Sequence, residues 1–87
     1  MKLTFTGRQE PFSPAQQKKL DTKLTTLAKV MDSRGGEREA HVTLTSERHL
    51  RRAEITVRVH DRPIVGLAAE GDQFTAMLEA IEKLEKQ

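Results

Sequence analysis

Cysteine, tryptophan and tyrosine are all missing from this 87-residue chain. Without cysteine there are no disulfide staples, no thiolate nucleophile and no cysteine-ligated zinc. Phe5, Phe12 and Phe74 are the only aromatics, so the core must be aliphatic, and base stacking on aromatic platforms is not expected to dominate any RNA binding. No apolar run approaches the length of a membrane span. The opening Met1-Lys2-Leu3-Thr4-Phe5-Thr6 alternates like a strand and lacks the apolar stretch of a secretory signal. These absences predict a soluble, cytoplasmic protein with no membrane partner.

Catalytic patterns are missing as well. There is no nucleophile elbow, no Gly-x-Gly-x-x-Gly and no phosphate loop; Gly35-Gly36 reads only as a helix stop. His41, His49 and His60 have neither the i, i+4 spacing of a helical zinc site nor an obvious carboxylate on a shared face. His41 reads as an outward strand residue and His60 as part of a turn. The expectation is therefore a protein with no catalytic residues, metal, cofactor or small-molecule substrate, and not an enzyme.

What is present suits one domain, residues 1–87, which at this size buries roughly 60% of the surface its unfolded chain exposes. The net charge is only +2, but it is unevenly spread. Residues 1–71 carry 13 Lys and Arg against 9 Asp and Glu, whereas residues 72–87 carry 2 against 4. A basic body with a slightly acidic end is a mild pointer to a polyanionic partner.

The apolar pattern gives six elements. Leu3 and Phe5 alternate with Thr4 and Thr6 before Gly7, a first strand over residues 2–7. Phe12-Ser13-Pro14-Ala15-Gln16 is a helix start, with Ser13 as cap, Pro14 at the first helical position and Gln16 closing a capping box. Leu20, Leu24, Leu27 and Met31 then make one stripe, which Arg34-Gly35-Gly36 ends. Ala40, Val42 and Leu44 mark a second strand, and Ala53, Ile55, Val57 and Val59 a third. After the turn His60-Asp61-Arg62-Pro63, a fourth strand is expected to turn Val65, Leu67 and Ala69 inward. Asp72 caps a last helix whose apolar face is Phe74, Met77, Leu78, Ile81 and Leu84, with Glu79–Lys83 and Glu82–Lys86 spaced as i, i+4 pairs.

The order β-α-β-β-β-α implies an α+β two-layer sandwich. Its four-stranded mixed sheet has the first two strands parallel and both helices packed on one face. The other face, with Thr43, Thr45, Thr56 and Arg58, is left to water. Two basic features stand out. Lys19 and Lys23 lie four apart beside the leucine stripe of the first helix, with Lys18 and Lys29 farther from the core. Such a flank suits phosphates, although for any single lysine the weightier reading is a solvated helix face whose stem covers apolar edges. The segment Arg48-His49-Leu50-Arg51-Arg52 sits at a hairpin tip, where it either carries function or blunts the hairpin against aggregation.

Several segments together resemble the ribosome hibernation-promoting factor family, also called ribosomal subunit interface or sigma-54 modulation proteins. They are Met1-Lys2-Leu3-Thr4-Phe5-Thr6-Gly7-Arg8, Lys23-Leu24, the run from Ala69 through Met77, and Glu82-Lys83-Leu84-Glu85-Lys86-Gln87. Phe74 stands where the family has Tyr, Leu78 where it usually has Asp, and Thr26 where it has a second lysine. The resemblance implies a short-form factor that binds ribosomal RNA in the decoding channel of the small subunit and blocks messenger and transfer RNA during stress or stationary phase. It implies Lys23, Lys83 and Lys86 as phosphate contacts, with Arg8 at the matching turn; charge and exposure add Lys19, Arg48, Arg51 and Arg52. Long members add a linker and a dimerising domain not seen here, so a monomer off the ribosome, unable to pair ribosomes by itself, is expected. Two other readings keep the fold but change the partner: a double-stranded-RNA-binding-like module, or a regulatory protein-interaction domain.

Overall fold

The structure, a computed structural model, describes residues 2–32, 38–59 and 62–87. Arg34-Gly35-Gly36, His60 and Asp61 lie outside them, as do the side chains of Met31 and Val59. The elements are β1 (Lys2–Thr6), α1 (Pro14–Asp32), β2 (Glu39–Glu47), β3 (Leu50–Val59), β4 (Arg62–Glu70) and α2 (Gln73–Glu85). They form one sheet in the order β1-β2-β3-β4. β1 runs parallel to β2, with Leu3 beside Ala40 and Phe5 beside Val42. β2–β3 and β3–β4 are antiparallel, with Val42 opposite Ile55 and Ile55 opposite Gly66. The α+β two-layer architecture expected from the sequence is the one observed.

Both helices start as their sequences dictate. The Ser13 hydroxyl accepts the Gln16 backbone N–H at 3.2 Å while the Gln16 side chain accepts the Ser13 N–H at 3.1 Å, a complete capping box ahead of Pro14. Asp72 accepts the Thr75 N–H at 2.9 Å at the head of α2. Because β1 and β4, the strands that lead into α1 and α2, both run toward the β2–β3 hairpin, the two helices begin at that end of the sheet and run back together.

The core lies between this helical layer and the sheet. Leu20 and Leu27 of α1, Ala40, Val42 and Leu44 of β2, Ala53, Ile55 and Val57 of β3, and Ala76, Met77, Ala80, Ile81 and Leu84 of α2 are all buried in it. Leu24, Phe74 and Leu78 pack at its margin. Phe12 meets Phe74 edge-on, with ring centroids 6.2 Å apart, joining the two helix starts.

β4 corrects the expected phase. Gly66 and Ala68 are buried and Ile64 partly so, whereas Val65 and Leu67 are 40% and 44% exposed. The reason is room. A Cβ on Gly66 would stand 2.3 Å from the Ala80 carbonyl oxygen and 3.0 Å from Leu84 Cγ, so α2 lies too close for any larger residue in that register. The bulkier alternate residues are turned to the open face because the small ones must face the helix.

Candidate nucleic-acid interface

The residues singled out for phosphate contact fall into three places. Arg8, Arg48, Arg51 and Arg52 gather at the hairpin end of the sheet. Lys19 and Lys23 lie on the first half of α1. Lys83 and Lys86 lie at the far end of α2.

At the hairpin end the chain leaves β1 through Gly7, whose φ is +99° and whose added Cβ would lie 2.1 Å from the Leu44 carbonyl oxygen. Only glycine fits so tight a passage over β2. The following loop is held by Gln73, which is 4% exposed. Its amide oxygen accepts the Glu10 N–H at 2.7 Å, and its Nε2 donates to the Arg8 carbonyl at 3.1 Å. The Arg8 side chain is exposed, projecting from a backbone that is clamped.

Arg51 is engaged within the fold. Its Nε donates to Glu10 Oε1 at 3.0 Å, an ion pair, and its NH1 donates to the carbonyls of Arg48 and Leu50 at 3.3 and 3.4 Å. It ties the hairpin base to the loop after β1 and lies beside Arg8 in a shared depression with Gln9 and Ser46. Arg48 opens the two-residue turn between Glu47 and Leu50 with φ +50°, a left-handed conformation usually given to glycine. Arg52 is exposed on the open sheet face, opposite Thr45 and Ala69.

The helices differ in charge. α1 carries four lysines against two aspartates, while α2 carries one lysine against three glutamates. Lys18, Lys19 and Lys29 are exposed and Lys23 is half-buried. Lys18 and Lys29 share the outward groove of α1 with Thr22, Thr25 and Thr26. Those three hydroxyls donate to the carbonyls of Lys18, Asp21 and Thr22, at 3.0, 2.7 and 3.1 Å, which leaves their oxygens facing solvent as acceptors.

Lys83 does not close an ion pair with Glu79, as the i, i+4 spacing had suggested. Its Nζ donates to the Leu67 carbonyl of β4 at 2.7 Å, while Glu79 faces Glu70 and raises the pKa of that carboxyl by hydrogen bonding and by its charge. An ammonium has three donors, so two of those on Lys83 stay available. Lys86, the C-cap of α2, is exposed.

His41 lies on the open face, its Nδ1 and Nε2 each 2.8 Å from the hydroxyls of Thr4 and Thr6. Both ring nitrogens are thus satisfied by neighbouring strand residues. Among the described residues no three His, Asp or Glu side chains converge in a way that could hold a metal ion. No helix among them is long and apolar enough to cross a membrane.

Two residues that hold the hairpin end together were not visible in the sequence. Gln73 looked like an ordinary residue of a first helical turn, and its only signal was its place directly after a capping aspartate. Glu10, the partner of Arg51, lies 41 residues away from it, with nothing local to announce the pairing.

No curated protein matches the chain by sequence. Its structure is similar to that of a ribosomal subunit interface protein from Coxiella burnetii. The TM-score is 0.74 at 19% identity, over 100% of this chain and 92% of that one, a likeness of fold. It is also similar to the N-terminal domain of Thermus thermophilus Protein Y, with a TM-score of 0.68 and 27% identity over 99% and 90% of the two chains. The model of one family covers residues 3–87, from β1 through the end of α2. The chain therefore belongs to the sigma-54 modulation protein / S30EA ribosomal protein family.

Proposed function

We propose that this protein is a ribosome-associated translation inhibitor. In this reading it binds ribosomal RNA in the decoding channel of the small subunit, in the cytoplasm, and excludes messenger and transfer RNA during stress. The observation that carries it is the family match over nearly the whole chain, joined to an exposed basic helix on a domain whose other helix is acidic.

In this reading α1 is the principal phosphate-binding face. Lys19 and Lys23 stand about 6 Å apart along the helix axis, close to the spacing of successive phosphates on one strand. Arg8, Arg48 and Arg52 extend the positive surface at the hairpin end, where both helices begin. Lys86 and the two remaining donors of Lys83 supply the far end. Arg51 would contribute mainly by holding Arg8 and the hairpin in register, since its guanidinium already serves Glu10.

The test is co-sedimentation with ribosomes through sucrose at low and near-physiological salt. Retention at both, lost when messenger and transfer RNA already fill the channel, is the expected result. Lys19→Glu with Lys23→Glu should lower affinity by about a hundredfold and flatten the salt dependence by roughly one to two counterions, because each lost phosphate contact removes its share of counterion release. Unchanged retention of that double variant would remove α1 from the interface. Equal affinity for bare duplex RNA and for ribosomes would favour the double-stranded-RNA-binding reading instead.

A further inference from the structure

β4 is an edge strand, with β3 on one side only, and bare strand edges invite pairing with another chain. This edge is not bare. The Leu67 carbonyl accepts Lys83 Nζ and the Val65 carbonyl accepts Gln87 Nε2, both at 2.7 Å. A strand residue sends its N–H and C=O to the same side, so Pro63, Val65, Leu67 and Ala69 all address the free edge. Pro63 has no N–H to offer there, the position on an edge strand where proline is tolerated. Three successive outward-facing positions thus each lack one of their two pairing groups, two through side chains from the last turn of α2 and just beyond it and one by composition.

We propose that Lys83 and Gln87 are edge guards that keep β4 from pairing with β4 of a second copy of this chain. A second copy is the fitting occupant because the edge is self-complementary. In an antiparallel pairing centred on Gly66, Val65 of one copy lies opposite Leu67 of the other. Each then supplies the N–H groups and carbonyls the other lacks. The exposed Val65 and Leu67 side chains would form one continuous apolar strip across the joint, with Pro63 limiting the ladder to the residues after it. The side chains that prevent this reach over from the helical side and occupy the carbonyls such a ladder would use. Lys83 thereby has a role in the free protein that does not depend on any phosphate contact.

The experiment is sedimentation equilibrium of Lys83→Ala with Gln87→Ala over a rising concentration series. Circular dichroism and a thermal melt establish that the variant is folded. Wild-type protein should remain monomeric, and the double variant should dimerise with an apparent Kd lowered by about tenfold or more, since two competing hydrogen bonds are gone. Gln87 lies past the end of α2, so Gln87→Ala alone leaves the packed helix intact and should show a smaller shift in the same direction even if the double variant fails to fold. Adding Leu67→Lys to the guardless protein should return it to monomer by placing like charges across the joint. A folded double variant that stays monomeric overturns the proposal, as does a dimer indifferent to Leu67→Lys or a wild-type protein already paired through this edge.

Discussion

The two helices share a starting point, a direction and a face of the sheet, yet they do different work. α2 buries Gln73, Ala76, Met77, Ala80, Ile81 and Leu84 out of thirteen residues. α1 is nineteen residues long, and among its described side chains only Leu20 and Leu27 are buried. α2 comes close to the sheet because Gly66 opposes the Ala80 backbone. α1 stands farther off, with leucines as spacers, and makes few close backbone approaches to any strand. The closely packed helix is acidic and its lysine donates to a strand carbonyl; the looser one presents Lys18, Lys19 and Lys29 to solvent, with Lys23 half-buried. Similar basic residues on similar helices therefore differ in availability, and the difference is set by how near each backbone lies to the sheet.

The sharpest way to break this contrast is to deny α2 its close approach. Gly66→Ala should cost about 3 kcal/mol, the upper part of the range for overpacking a closed core. In a domain of this size that lowers the melting temperature by about 15 °C. A matched pair of substitutions refines the point. Ala80→Val, in the fully buried face of α2, should cost about 2 kcal/mol. Ala28→Val, beside Leu3 and Leu24 in a shallow depression under α1, should stay below about 1 kcal/mol. Equal losses in the two helices would show that α1 is as tightly held as α2.

Next in size is Gln73→Ala. It removes one buried side chain and strands two backbone groups, the Glu10 N–H and the Arg8 carbonyl. The expected loss is about 2 kcal/mol by denaturant melting, because leaving buried polar groups unpaired costs more than losing the bonds themselves. The loop after β1 should also become more open to amide exchange. Since Arg8 is carried on that loop, ribosome retention should fall even though no charge has changed. Retention at wild-type level with the loop loosened would take Arg8 out of the interface.

The outline of this fold was legible because its strongest signals are local. Ser13-Pro14-Ala15-Gln16 and Asp72 declared the helix starts, and both caps form as written. The alternation of β2 and β3 put the right residues inside. β4 was not legible, because Ile64-Val65-Gly66-Leu67-Ala68 is apolar in both phases. Hydrophobicity favoured Val65 and Leu67 for the core, whereas volume decided for Gly66 and Ala68. The basic residues were ranked by resemblance, which put Lys23, Lys83 and Lys86 first, and by charge and exposure, which added Lys19, Arg48, Arg51 and Arg52. What separates them is the company each keeps: Glu10 for Arg51, a strand carbonyl for Lys83 and water for Lys19, and the partners lie far away in sequence.

The smallest expected effect distinguishes the helix caps by pH. α1 is capped by the neutral Ser13 hydroxyl, α2 by the Asp72 carboxylate. The Thr75 backbone N–H, and then its hydroxyl, hold the Asp72 pKa below its ordinary value. A carboxyl depressed in the folded state contributes stability above its unfolded pKa and loses it as pH falls through the folded value. Asp72→Ala should therefore cost about 1 kcal/mol at neutral pH, at most, for a cap so exposed to water. The difference from wild type should shrink as pH drops below about 4. Ser13→Ala should cost a similar amount at every pH. Glu70 works the other way. The hydrogen bond that protonated Glu70 donates to Glu79, and then the negative charge of Glu79, raise the Glu70 pKa, so its stabilising contribution is complete below its unfolded pKa and is lost as pH rises through the folded one. Glu70→Gln should make the protein more stable at neutral pH and leave it nearly unchanged in acid. A parallel pH profile for the Asp72 and Ser13 variants would show that the charge of Asp72 adds nothing to its geometry.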